Sequence, residues 1–255
     1  MSTERFLAND PRTIARNIPG IFEVLFPQLT PGVVTHFNRE SRVVANLEPV
    51  AAELVAKSTL QRAMLFEIAV AVAEQFLSGA QEIDWEIGLN LAITRQKRHF
   101  DAKLPDSLSA IDKIVTQTVA RNLVVMLNQI QEGAGNQPLA RSPKIPGYQW
   151  IASGVGDFSV GTRLIEVKCT NKHFSSADYR QLVMYWLLGY ASSVENGTPE
   201  WADGILINPR LNYVVQLPFN QILGVISAGR SKVELLELFS SLVSDHTLHL
   251  LASIQ

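Results

Sequence analysis

The run GDFSVGTRLIEVK, residues 156–168, decides how this chain is read. Apolar and polar residues largely alternate along it with the period of a strand, on either side of the turn-forming pair Gly161-Thr162. Taken as the two loop residues of a hairpin, that pair gives Gly161 the positive φ that a type II′ turn requires at its first central position. The register follows: Val160 opposite Arg163, Ser159 opposite Leu164, Phe158 opposite Ile165 and Asp157 opposite Glu166. Opposed residues share a face, with Cβ atoms about 5 Å apart. Two carboxylates distant in sequence therefore become neighbours. Lys168 lies two residues beyond Glu166 and projects from the same face, while Ile165 and Val167 turn to the other.

Two like charges at that separation repel unless something positive lies between them, and a divalent cation with oxygen ligands answers that need. Such an ion polarises a phosphoryl oxygen and acidifies a water, while an amine beside it orients that water or meets the developing charge. The same alternation also suits an ordinary hairpin whose charged face meets solvent, so the neighbouring elements have to decide.

Outward on the C-terminal side, Ser175 and Asp178 have capping-box spacing and open the apolar helix YRQLVMYWLLGY. Asp178, Gln181 and Tyr185 recur at three and four residues and form a polar stripe, expected to face the hairpin. From there Gln181 would hydrogen-bond a phosphate, a water or Lys168, and Tyr185 would contact a nucleic-acid backbone or fix Gln181. Two more strands are expected at 204–208 and 213–217, stopped by Pro209 and Pro218, then helices at 219–228 and 231–244.

On the N-terminal side, Tyr148–Ala152 reads as a first strand ahead of Asp157–Val160 and Leu164–Cys169. Residues 107–131 carry Ile111, Ile114, Val115, Val119, Met126 and Ile130 at helical spacing. Ser58 with Gln61 suggests a capping box that opens a helix over 59–77, closed at Gly79 and preceded by a short helix at 49–57. Breaks rich in Pro and Gly at 17–32 and 133–147 divide the chain. The expected fold class is α/β with a mixed central β-sheet flanked by helices, the central order being α-β-β-β-α-β.

The residues GDF…LIEVK followed by RQLVMYW resemble the core of the PD-(D/E)XK nucleases, and Gln181 with Tyr185 is similar to the Q-xxx-Y element of their RecB-like branch. The resemblance spans about residues 107–217. It implies a restriction-endonuclease-like fold over 107–255, with residues 1–106 a mainly helical N-terminal extension for recognition, a protein partner or dimerisation. It implies Asp157 and Glu166 as ligands of Mg²⁺, which Mn²⁺ would replace, with Val167 lending a backbone carbonyl. It implies that Lys168 assists the nucleophilic water. Asp157, Glu166, Lys168, Gln181 and Tyr185 are thus the expected catalytic set, and DNA the expected substrate and partner. Gly156 stands where the family has its first proline. Many members add a side chain from a helix ahead of the sheet; Glu67, Gln117 and Asn122 are the candidates here. The implied activity is hydrolysis of DNA, in restriction or phage defence by analogy. A catalytically inactive nucleic-acid-binding or assembly protein, and a nuclease acting on RNA, are the alternatives. Cutting both strands of a duplex favours a homodimer.

The whole chain sets bounds. With 255 residues, 47% of them hydrophobic, it has material for a sizeable core. A net charge of -2 excludes binding of nucleic acid by bulk basic charge, leaving local patches. Arg95, Lys97, Arg98, His99 and Lys103 form one, with Arg141, Lys144, Lys172, His173 and Arg180 nearer the motif. A single cysteine, Cys169, excludes an internal disulfide and is expected to pack in the core; of the five histidines, His36 among them, only His246 and His249 approach metal-ligand spacing, and those two read as surface residues. Trp85, Trp150, Trp186 and Trp201 read as packing residues. No apolar stretch reaches spanning length and no signal-peptide pattern opens the chain, so no membrane and a cytoplasmic setting are expected.

Overall fold

The computed structural model describes Pro11, residues 20–97 and residues 103–252, with side chains as far as residue 245. Arg98, His99, His246 and His249, weighed above for their side chains, lie outside the described residues or side chains.

The chain is α/β, with a mixed six-stranded sheet flanked by helices. Helices α1 (Ile21–Leu25) and α2 (Pro31–Arg39) precede strand β1 (Arg42–Val43); α3 (Ala52–Ala56), α4 (Arg62–Leu77), α5 (Trp85–Gln96) and α6 (Ala110–Glu132) follow. Next come β2 (Leu139–Arg141), β3 (Lys144–Ile145), β4 (Gly154–Val155), β5 (Phe158–Val160) and β6 (Arg163–Val167). Helix α7 (Ser176–Asn196) leads to β7 (Asp203–Asn208), β8 (Tyr213–Pro218), α8 (Phe219–Ile226) and α9 (Lys232–Ala252). The sheet order is β1-β8-β7-β6-β5-β2, with β6 and β7 parallel and the other pairs antiparallel; β3 and β4 pair separately.

Strand alternation divides the core in two. Phe158, Val160, Ile165 and Val167 face α4 and α6, joined there by Ile68, Val72, Leu123 and Leu127. Leu164, Leu206, Val215 and Leu217 face α7, α8 and α9, packing with Leu182, Trp186, Phe219 and Phe239. Residues ahead of 106 enter both: Ile21, Phe22 and Phe37 join the α7 side, Met64 and Ile68 the α6 side, and β1 pairs with β8 through Arg42↔Val214.

Most helix boundaries follow local chemistry. Ser175 caps α7 in a complete capping box with Asp178, and Gly197 at φ 68° ends it in the left-handed conformation that glycine tolerates. Ser109 and Asp112 form the same box on α6.

Three expectations need correction. Ser58 does not cap α4: its hydroxyl donates to Asp112 Oδ1 at 2.6 Å, and Gln61 at the N-cap makes no side-chain cap bond. Tyr148–Ala152 is not a sheet strand. Tyr148 and Ile151 exchange backbone hydrogen bonds at 2.9 and 3.0 Å across Gln149, whose φ is 51°, so the segment folds back on itself. Its place beside β5 is taken by β2, through Leu139↔Val160 and Arg141↔Phe158. Ile114 was expected in the core stripe of its helix, yet it is 48% exposed, because the stripe turns through Val115 and Val119. Among the described residues, no helix is long and apolar enough to cross a membrane.

Candidate active site

The β5–β6 hairpin has the register that its turn chemistry requires: Val160↔Arg163, Ser159↔Leu164 and Phe158↔Ile165. Gly161 has φ 55° and Thr162 is not among the positive-φ residues, so only the first loop position takes the left-handed conformation. The ladder ends at Phe158. Asp157 meets β6 through its side chain instead, Oδ2 accepting from the Val167 N–H at 2.8 Å. The expected pair Asp157–Glu166 is thus outside the ladder, and Asp157 is anchored to the backbone of the residue that follows Glu166.

Gly156 has a local reason. Its N–H donates to the Pro143 carbonyl at 2.9 Å, a bond that proline would lose. A Cβ there would stand 3.3 Å from Pro143 Cγ and 3.4 Å from Glu166 Oε1. The Asp157 carbonyl accepts from the Ser142 N–H at 3.0 Å, so the segment after β2 clasps the start of β5. Nothing in the six residues from Leu139 to Lys144 announces that clasp in sequence.

Glu166 is fully buried at 0% exposure, a position a carboxylate holds only with compensating partners. Lys168 Nζ donates to its Oε2 at 3.3 Å, and Gln181 Nε2 donates to the same oxygen at 2.7 Å. Lys168 Nζ also donates to Gln181 Oε1 at 2.8 Å, closing a triangle of acid, amine and amide. Gln181 Nε2 lies 3.1 Å from the Tyr185 hydroxyl, one helical turn on. Tyr185 is only 1% exposed, so its hydroxyl meets Gln181 inside the fold and not at the surface.

The polar stripe of α7 is therefore shorter than expected. Gln181 and Tyr185 reach the hairpin, whereas Asp178 is consumed by the Ser175 cap, 2.7 Å from its N–H and 2.8 Å from its hydroxyl.

Asn122, Glu67 and Gln117 are the candidates from the helices. Asn122 donates to the carbonyls of Glu48 and Pro209, both at 2.9 Å, and braces the β7–β8 turn. Glu67 stands 4.0 Å from Arg95. Gln117 is half-buried on α6, and none of the three is bonded to Lys168 or Gln181.

Of the basic candidates, Arg95 is held by Glu74 at 2.8 and 2.9 Å, Arg180 by Glu23 at 3.0 Å, and Arg141 donates to Ser78 at 2.9 Å. His173 is stacked on Tyr213 with ring centroids 4.9 Å apart. Lys172, just beyond β6, and Lys144 are exposed and carry no ion pair among the described residues.

Among the described residues, no group of three or more His, Cys, Asp or Glu side chains has a metal-holding arrangement. The donors at this site are two carboxylates, from Asp157 and Glu166, beside the Val167 backbone carbonyl. That hard-oxygen set fits Mg²⁺, which is commonly bound by one or two carboxylates and completes its shell with water and phosphate oxygens. A cleft of about 520 Å³ opens elsewhere, at the turn end of the hairpin, between Thr162, Gly189 and Trp201. No acid of the site lines it. No family model, no curated protein and no solved structure matches the chain.

Proposed function

We propose that the protein is a Mg²⁺-dependent nuclease with a restriction-endonuclease-like fold, hydrolysing DNA phosphodiester bonds. The observation that carries the reading is the part-buried triangle of Glu166, Lys168 and Gln181, with Asp157 anchored beside it. Burial of an acid and an amine in one network costs stability that a hydrophobic pair would not cost. Chemistry at the site gives that cost a purpose.

Asp157 and Glu166 would hold the ion, with the Val167 carbonyl. When bound, Mg²⁺ supplies a Lewis acid for a phosphoryl oxygen and lowers the pKa of a water. Lys168 brings a proton donor and a positive charge to the same face, where a developing negative charge on the phosphate is stabilised. Gln181 sets where the ammonium points, and Tyr185 sets Gln181. Exposed Lys172 offers a phosphate contact that positions the substrate without reading sequence. Restriction or phage defence is the setting that family analogy suggests, with a homodimer for double-strand cleavage.

A second reading has one observation in its favour. Glu166 Oε2 has protein donors in both Lys168 and Gln181, as suits a nucleic-acid-binding or assembly protein that keeps the fold without cutting. The experiment separates the readings: plasmid, linear, single-stranded DNA and RNA are incubated with the protein in Mg²⁺, Mn²⁺ or EDTA. The nuclease reading expects metal-dependent products that Glu166→Ala and Lys168→Ala abolish while circular dichroism stays unchanged. Cleavage at wild-type rate by both folded variants would refute it, and tight binding without product supports the second reading.

A further inference from the structure

Arg210, in the turn between β7 and β8, is 6% exposed. Its backbone is fully engaged: the N–H donates to Asn208 Oδ1 at 3.1 Å and the carbonyl accepts from the Val50 N–H at 2.8 Å. The guanidinium is not. Among the described residues it makes no ion pair, and its Nε is buried without a hydrogen-bond partner. A nearly buried guanidinium whose Nε has no acceptor is a costly arrangement that proteins rarely keep without an anion.

The side chain lines a cleft of about 20 Å³, whose other walls are Val55, Leu65, Val115, Val119 and Cys169, with Arg62 on its rim. Arg62 is exposed and carries no ion pair among the described residues. The acid that α6 bears one turn before Val115 is Asp112, and its carboxylate is taken by Ser58 and Ser109 at 2.6 to 2.9 Å. The cleft is thus positive at its base, positive at its rim and apolar between.

We propose that this cleft is a binding site for a small monoatomic anion, chloride in ordinary media, seated on the Arg210 guanidinium. Size and donor count select that class. A space of about 20 Å³ holds about one water-sized sphere, too little for a whole phosphate or sulfate. The aliphatic walls also lack the several donors that a tetrahedral oxyanion needs. A halide needs few donors, and the Cys169 thiol adds a weak one. The site lies across β6 from the acids, since Cys169 and Lys168 are consecutive and project to opposite faces. It is independent of the nuclease reading.

Chloride-35 NMR tests the wild-type protein directly. Line broadening that grows with protein concentration and is displaced by bromide is expected, and its reduction to the level of bulk salt in Arg210→Met. Thermal unfolding adds a second readout: at matched ionic strength, chloride or bromide should raise the wild-type Tm by about 3 °C over gluconate. Arg210→Met should lose that increment. No excess broadening in wild type overturns the proposal. So does an equal Tm increment in Arg210→Met, or stabilisation by phosphate and sulfate but not by halide.

Discussion

Gln181 Oε1 accepts from Lys168 Nζ at 2.8 Å while its Nε2 donates to Glu166 Oε2 at 2.7 Å, so one amide holds both charged members of the ExK strand. Truncation leaves the ammonium with Glu166 alone and frees its direction. Under the proposed function, Gln181→Ala should lower kcat about 10- to 100-fold, the range for a residue that orients a ligand or catalytic group. KM for DNA should change less, Tm should stay within a few degrees, and Gln181→Glu should restore less activity than Gln181→Asn. A lowered Tm with kcat unchanged would make Gln181 merely structural.

Asn122 offers a prediction about stability alone. Its Nδ2 serves the carbonyls of Glu48 and Pro209, tying the approach to α3 to the β7–β8 turn. Asn122→Ala strips two acceptors of their donor and should cost about 1–3 kcal/mol, read by urea denaturation. Full stability would mean that water serves both carbonyls equally well.

Two glycines should respond with opposite signs. A Cβ on Gly204 in β7 would lie 2.7 Å from Leu182 Cδ2 and 2.9 Å from Phe219 Cζ, between helices that cannot both yield. Gly204→Ala should destabilise by about 1–3 kcal/mol through overpacking. Gly224, inside α8, would present its Cβ to nothing within 4 Å, so Gly224→Ala should stabilise by about 0.5–1 kcal/mol. Thermal melts of the two variants in one buffer check both.

Asp112 predicts an acid limb. Burial pushes its carboxyl up, but hydrogen bonds from Ser58 and from the Ser109 side chain and backbone outweigh that and leave it below the ordinary carboxylate value. A pKa depressed by folding contributes stability that is complete above the unfolded value, about 3.9, and is lost as pH falls through the folded one. Asp112→Asn should therefore lower Tm at pH 7 and flatten the dependence of Tm on pH below about 4. An unchanged acid limb in the variant would exclude Asp112 as its source.

The Cys169 thiol is pushed up to about 11, chiefly by burial, with Arg210 pulling the other way. At pH 8 the native protein should react with iodoacetamide on the order of 100-fold slower than a free cysteine, and at the ordinary rate once unfolded in urea. Rapid native labelling would show that the wall of the Arg210 cleft opens readily.

What the sequence made legible was whatever a few adjacent residues decide. Gly161 and strand alternation placed Glu166 and Lys168 on one face, and Ser175 with Asp178 opened α7 where Gln181 and Tyr185 could reach them. The rest depended on partners far along the chain. Ser58 has capping-box spacing with Gln61, yet its hydroxyl goes to Asp112, 54 residues on. Arg180 lies beside the motif in sequence and pairs with Glu23, 157 residues away. Strand β2 has only three residues, a weaker local signal than the aromatic-containing run Tyr148–Ala152. Side-chain competition of this kind leaves no periodicity to detect.

The pairing of Arg42 with Val214 and the bond from the Gln28 N–H to the Ile226 carbonyl, at 3.2 Å, have a consequence for biosynthesis. Elongation proceeds at about 5–20 residues per second, so the early segment waits on the order of ten seconds or more for its mates to leave the ribosome. During that wait α1 keeps Ile21, Phe22 and Leu25 without the surfaces that bury them in the finished fold. The hairpin around Gly161 closes over two residues and needs no such delay. Assembly should thus run outward from the middle of the chain, with α1 and α2 docking late, and a chaperone that shields short apolar segments would act on residues 21–37 during that wait.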